Sequence, residues 1–199
     1  MKYIEYGKEE LDYLIKKDKV LGDYIKKTGF IKRELNSDIF TSLISSIISQ
    51  QVSTKAAKTI NERLNNIVIN LTPKKILELD DSLLQSIGIS FRKVSYMKDI
   101  AKNFIDKPYI YNNLNNLPDH LIVEELIKLK GVGTWTAEML LIHSFNRRDV
   151  ISFLDLGIKR GIMRLYNKDS ISKEDWIYFK NLYAPYNTIA SIYLWEASK

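Results

Sequence analysis

The stretch Leu129-Lys130-Gly131-Val132-Gly133-Thr134-Trp135-Thr136-Ala137 sets two glycines around one aliphatic residue, between two apolar helical patterns. Glycine tolerates positive φ and lets a second backbone come close. The amides of such a turn, with those at the start of the next helix, converge on a point that favours an anion, and the helix dipole adds to the attraction. A bare Gly-x-Gly turn also serves as a plain helix–helix connection. The longer string Leu-x-Gly-Val-Gly-x-x-Thr-Ala is far more selective. A second group with chemical capacity is Asp155, in Phe153-Leu154-Asp155-Leu156-Gly157-Ile158-Lys159-Arg160. A carboxylate in apolar surroundings can steady developing positive charge or take a proton from water. It can equally cap a helix or pair with Lys159 or Arg160.

The rest of the composition narrows the chemistry. The 199 residues include no cysteine and two histidines, His120 and His143. Disulfides, thiol nucleophiles, thiolate zinc sites and iron–sulfur clusters are therefore excluded, and imidazoles are too few for a histidine-rich metal site. Carboxylates, amides, hydroxyls and aromatics must do the work. Thirty basic against 24 acidic residues give a net charge of +6, which suits a polyanionic partner without demanding one. The longest largely apolar stretches, such as residues 137–142, fall far short of the roughly 20 residues a bilayer requires. Residues 1–8 carry charges before any apolar core, unlike a secretory signal, and the absence of cysteine leads to the expectation of a cytoplasmic protein.

The elements that would hold these groups read as helices almost throughout, so the expected fold class is all-α. Phe40, Leu43, Ile44, Ile47 and Ile48 fall at i, i+3, i+4, i+7 and i+8, the stripe of a core-facing helix. Gln50 and Gln51 follow, and Ser53 can cap a helix carrying Ala56, Ala57, Ile60 and Leu64. Thr72-Pro73 predicts a capped helix start, Leu83, Leu84 and Ile87 mark a short helix ended by Gly88, and Ser90 opens another with Val94, Met97, Ile100, Ala101 and Phe104 inward. The Asn-rich stretch 111–117 reads as a loop. A helix with Ile122, Leu126 and Leu129 is predicted to run to Gly131. Residues 137–142 are apolar almost all round and predict a central, buried helix. Ser172 and Asp175 have capping-box spacing ahead of Trp176, Phe179 and Tyr183. Pro185 breaks the chain before a last helix. With no linker in sight, two interlocked lobes are expected, residues 37–147 forming one and residues 1–36 plus 148–199 the other.

The hairpin string, followed at this distance by Asp-Leu-Gly-Ile-Lys-Arg, resembles the helix–hairpin–helix DNA glycosylase superfamily, and within it the 3-methyladenine glycosylase II type without the N-terminal β domain. Ile47-Ile48-Ser49-Gln50-Gln51-Val52-Ser53, Phe91-Arg92-Lys93 and Ala184-Pro185-Tyr186-Asn187 are similar to further segments of that family in the same order. The resemblance spans roughly residues 20–199. It implies two helical lobes with an active-site cleft between them, and a monomer that flips damaged, alkylated purines out of double-stranded DNA and hydrolyses the N-glycosidic bond.

It also implies roles. Asp155 would be the catalytic carboxylate, and Trp135 and Tyr186 would line the base pocket. A lysine stands at the position of Trp135 in the glycosylase-lyases, and tryptophan cannot form a Schiff base, so a monofunctional enzyme is expected. Gly131, Val132, Gly133, Thr134 and Thr136 would grip a phosphate, Lys130, Arg92 and Lys93 would add backbone contacts, and Gln51 would wedge into the space left by the flipped nucleotide. Gln50 is expected to be structural. Carbonyls of Ile127, Leu129 and Val132 would hold Na+ or K+ at the hairpin; no other cofactor is required. Asn187 departs from the arginine common in the family. Asp149, beside two arginines, reads as a surface residue. The alternatives are an 8-oxoguanine-type glycosylase and a non-catalytic DNA-binding protein.

Overall fold

The computed structural model describes residues 2–199; Met1, the first residue of the charged start, lies outside them. Helices dominate: α1 (Lys8–Lys17), α2 (Lys19–Thr28), α3 (Ile39–Ser49), α4 (Thr54–Ile67), α5 (Pro73–Glu78), α6 (Asp81–Ser86), α7 (Phe91–Asp106), α8 (Pro108–Asn113), α9 (Asp119–Leu126), α10 (Thr134–His143), α11 (Leu156–Tyr166), α12 (Lys173–Tyr183) and α13 (Asn187–Ala197). A two-residue antiparallel ladder joins β1 (Lys2–Tyr3) to β2 (Glu34–Leu35), with Lys2 opposite Leu35. Among the described residues no helix is long and apolar enough to cross a membrane.

Two readings of the sequence are corrected. The stretch 111–117 is not a loop: α8 reaches into it and a 3-10 turn, Leu114–Asn116, continues it. Tyr111 and Leu114 lie three apart and are both buried, and Tyr111 stacks on Phe104 with ring centroids 4.2 Å apart. Two apolar anchors outweigh four asparagines of low helix propensity. The helix before the hairpin stops at Leu126, short of Gly131, and the chain continues through i→i+3 bonds such as Leu129 N–H to the Leu126 carbonyl.

The chain divides into two compact units, residues 37–140 and residues 1–36 with 141–199; the second seam falls inside α10 rather than after residue 147. In the 37–140 unit, the predicted stripe of α3 is buried at every position, and α3 packs on α4 and α7. On α7, Val94, Met97, Ile100 and Ala101 are fully buried, whereas Leu83 of α6 is exposed. Each such buried Val, Met or Ile contributes about 1.5–3 kcal/mol on leaving water. Ser53 caps α4 through its hydroxyl, as its position predicts.

In the other unit, Leu14, Leu21 and Ile25 from the N-terminal helices share a core with Ile158, Ile162, Phe179, Tyr183 and Tyr193. The Ser172–Asp175 capping box starts α12. Helices α11 and α13 lie so close that a Cβ on Gly161 would sit 2.1 Å from the Leu194 carbonyl oxygen. That contact is what brings the last helix down onto the segment carrying Asp155.

Candidate functional site

The hairpin turn sits between α9 and α10. Gly131 has φ of +80°, and a Cβ there would meet the Tyr96 ring at 2.3 Å, so glycine is required on two counts. Gly133 is different: nothing lies within 4 Å of the place its Cβ would occupy and its φ is unexceptional. Its carbonyl accepts the Ala137 N–H, which starts α10 with the first-turn amides of Thr134, Trp135 and Thr136 aimed along the helix axis toward the turn. Val132 is buried at 6% exposure and anchors the turn in the core. Lys130 lies outside it, paired with Asp99 at 3.1 Å.

Beside the turn, α3 and α10 frame a pocket of about 180 Å³ lined by Ser45, Ser46, Ser49, Gln50, Trp135, Thr136 and Met139. Trp135 is 43% exposed, so the residue at this position is not core, and its indole forms one wall. Thr136 is 6% exposed and lines the pocket. The loop after α3 reaches the same region. Gln50 donates from Nε2 to the Gly131 carbonyl at 2.8 Å, so Gln50 is structural and ties this loop to the hairpin. Gln51 is exposed and sits at φ of +55°, a left-handed conformation uncommon outside glycine.

Lys93, expected to contact a phosphate, contacts backbone carbonyls in the structure. Its ammonium donates to the carbonyls of Ile48 and Gln50, both at 2.7 Å, and burial together with the neighbouring Arg92 charge holds its pKa below the ordinary lysine value. Arg92 is exposed.

The second unit carries Asp155. It is 7% exposed and caps α11, its Oδ1 accepting the Ile158 N–H at 2.9 Å and the Trp195 Nε1–H at 3.0 Å. The N-cap role foreseen for an ordinary aspartate is thus real, and the indole is a second donor that an ordinary cap lacks. The flanking Leu154 and Leu156 are exposed. Gly157 makes the arrangement feasible, because a Cβ would lie 2.9 Å from Trp195 Cδ1 and 3.1 Å from Asp155 Oδ1. Behind the indole, His143 stacks on Trp195 with centroids 5.5 Å apart. Burial and the Arg33 charge hold the His143 pKa below its ordinary value, offset in part by a backbone hydrogen bond at Glu34 and by Asp155.

Tyr186 is half-buried and meets Tyr13 edge-on at 5.1 Å. Asn187, in the place of the family's arginine, is fully buried and donates from Nδ2 to Asp149 Oδ1 at 2.6 Å and to the Lys180 carbonyl at 2.9 Å. Asp149 is exposed as expected, yet it fastens the start of α13. The 37–140 unit therefore brings together Gln50, Gly131, Val132, Trp135 and Thr136, and the other unit brings Asp155 to Trp195 and seats Tyr186 on the same core. Trp195, Tyr96 and Asp99 were missed. Trp195 lies forty residues from Asp155, beyond any local pattern, whereas Tyr96 and Asp99 follow Lys93 at i+3 and i+6 and share its helix face.

Comparison with known proteins adds a third line. A model of the HhH-GPD superfamily base excision DNA repair protein family matches residues 44–182. The chain is 33% identical over 186 residues to DNA-3-methyladenine glycosylase 1 of Schizosaccharomyces pombe, covering 91% of this chain and 80% of that protein. The crystal structure of a DNA-3-methyladenine glycosidase from Bacillus halodurans superposes with a TM-score of 0.87 at 32% identity, over 100% of this chain and 93% of the other. The S. pombe 3-methyladenine DNA glycosylase in complex with abasic DNA gives 0.81 at 30% identity, over 95% and 96% of the two chains. With the hairpin turn and the capped aspartate in place, the chain belongs to the HhH-GPD superfamily of base excision DNA repair proteins.

Proposed function

We propose that this base excision DNA glycosylase removes alkylated purines by hydrolysis alone, with Asp155 as the carboxylate that steadies the sugar. The observation that carries the reading is the Asp155 carboxylate, buried at 7% exposure and fixed by two N–H donors on one oxygen. A charge so preorganised stabilises an oxocarbenium far better than one in bulk water. The C1′–N bond breaks with its electron pair leaving on the purine, so a base already cationic from alkylation departs neutral and needs no acid from the protein. Water adds to C1′, and its proton passes to the carboxylate and on to solvent, leaving an abasic site. Trp135, in the place of a lyase lysine, has no amine to attack the sugar.

Trp135 and Tyr186 each carry an electron-rich face of the kind a cationic base favours. The amides around Gly131, Gly133 and Thr134 would take a phosphate, with Arg92 and Lys130 adding charge nearby. Ile127, Leu129 and Val132 would turn carbonyls to a Na+ or K+ ion there; the Leu129 carbonyl accepts one N–H, from Val132, and an sp² oxygen has a second lone pair for a hard cation. Gln51 projects from its left-handed turn as the wedge, and the similarity to proteins named for 3-methyladenine supports the substrate class. The test is a panel of duplexes bearing 3-methyladenine, hypoxanthine, uracil or 8-oxoguanine, run with and without borohydride. Release of the alkylated base with no trapped adduct is expected. Preferential excision of 8-oxoguanine, or a covalent adduct, overturns the reading.

A further inference from the structure

We infer that Lys93 is a positioning residue for nucleotide extrusion: its ammonium and the Gln50 carboxamide clamp the turn bearing Gln51 onto the hairpin, with one face of α7 as the common brace. The inference deepens the proposed function, resting on Gln51 as the wedge, and concerns residues of the 37–140 unit alone.

Three contacts run along that face. Lys93 donates to Ile48 O and Gln50 O, both at 2.7 Å, one turn on Tyr96 fills the space that Gly131 leaves open, and a further turn on Asp99 accepts from Lys130 Nζ at 3.1 Å and from the Lys130 N–H at 3.4 Å. The Gln50 side chain closes the loop by donating to Gly131 O at 2.8 Å. The last carbonyls of a helix have no intrahelical partners, and here a single cation answers one of them and holds the residue beyond the helix end. A charged donor makes the stronger kind of hydrogen bond, and a half-buried one is not free to trade it for water. The consequence is geometric. Gln51 sits at φ of +55°, a conformation that persists only when its surroundings impose it, and the groups that impose it are the same ones that hold the phosphate-gripping turn. Wedge and grip thus move as one body, and their spacing along the DNA strand is set by α7.

A phosphate contact and a brace differ in what salt does. Lys93→Met, Lys93→Arg and Gln50→Ala would be compared with the unaltered chain by single-turnover excision from an alkylated duplex, by fluorescence of 2-aminopurine beside the lesion, and by the salt dependence of binding to undamaged duplex. Lys93→Met is expected to slow excision about tenfold or more, since small misplacements near the reacting group carry such penalties. The 2-aminopurine signal should fall with it, while the slope of log K against log salt stays at its starting value. Lys93→Arg, which can still reach both carbonyls, should recover most of the rate, and Gln50→Ala should show a weaker form of the same loss. A slope reduced by about 0.9 in Lys93→Met would mark a released phosphate contact and overturn the inference. Unaltered excision in both Lys93→Met and Gln50→Ala would overturn it as well. Asp155→Asn separates the two claims: it should keep the fluorescence signal and lose excision, and normal turnover there would defeat the proposed function rather than the brace.

Discussion

Asp155 shows how little a residue's local setting says about its chemistry. Capping α11 is a task thousands of aspartates perform; what distinguishes this one is the indole N–H from Trp195 on the same oxygen. A hydrogen bond to a charged group is worth about 1.5–3 kcal/mol. Trp195→Phe should therefore lower the single-turnover excision rate about tenfold, by the rate equivalence of 1.4 kcal/mol. Affinity for an abasic duplex should hold, and equal loss of affinity and rate would show that the ring merely packs. At the hairpin, Gly131→Ala forces a side chain into positive φ and against Tyr96, and is expected to abolish tight duplex binding in a gel-shift titration. The Asp155 position and the Gly131 turn were legible in the sequence because short, selective strings carry them. Trp195 was not, since its partner is remote in the chain, and neither were the carbonyl contacts of Lys93, because a basic residue beside Arg92 looks the same whether it faces solvent or a carbonyl.

Among the elements, α3, α7 and α12 were readable from their apolar stripes, since burial on one face at helical spacing leaves a periodic trace. Helix α8 left none: six residues are too short for a period, and its one buried residue, Tyr111, is followed by two asparagines. The close approach of α11 and α13 is likewise silent in the sequence, as Gly161 could have been a surface residue. A methyl there would lie 2.1 Å from Leu194 O, so Gly161→Ala should destabilise the fold by about 1–3 kcal/mol in urea denaturation, the range for overpacking. Gly133→Ala meets nothing within 4 Å and should shift stability by about 0.5 kcal/mol or less. A large effect at Gly133 and none at Gly161 would invert this account of which glycines the packing needs.

For the whole molecule, the mostly helical class followed from pattern alone, whereas the pairing of the first 36 residues with the last 59 is a matter of long-range burial that no window of sequence contains. Part of its acid response follows from two titratable groups in that unit. His143 has a folded pKa below its ordinary 6.5, so folding favours the neutral ring; the stabilisation is complete above 6.5 and is lost as pH falls below it, when the unfolded chain gains a proton first. Glu10, held below its ordinary 4.5 first by the Gly7 N–H and also by Arg148, adds stability above 4.5 that is lost on further acidification. Melting temperature should therefore drop in two stages on acidification, and His143→Gln should remove the first while leaving the second.

The central claim is that a positioned carboxylate, and no amine, drives base release. Asp155→Asn is close in size and its amide oxygen can still accept both N–H bonds, but it carries no charge, so the measurement is its single-turnover excision of 3-methyladenine from a duplex, paired with binding to an abasic duplex. Loss of excision by about a thousandfold or more, of the order seen when one preorganised electrostatic partner is removed, with binding within about threefold of the starting value, is the predicted result. Excision at the original rate in the asparagine variant would contradict the account.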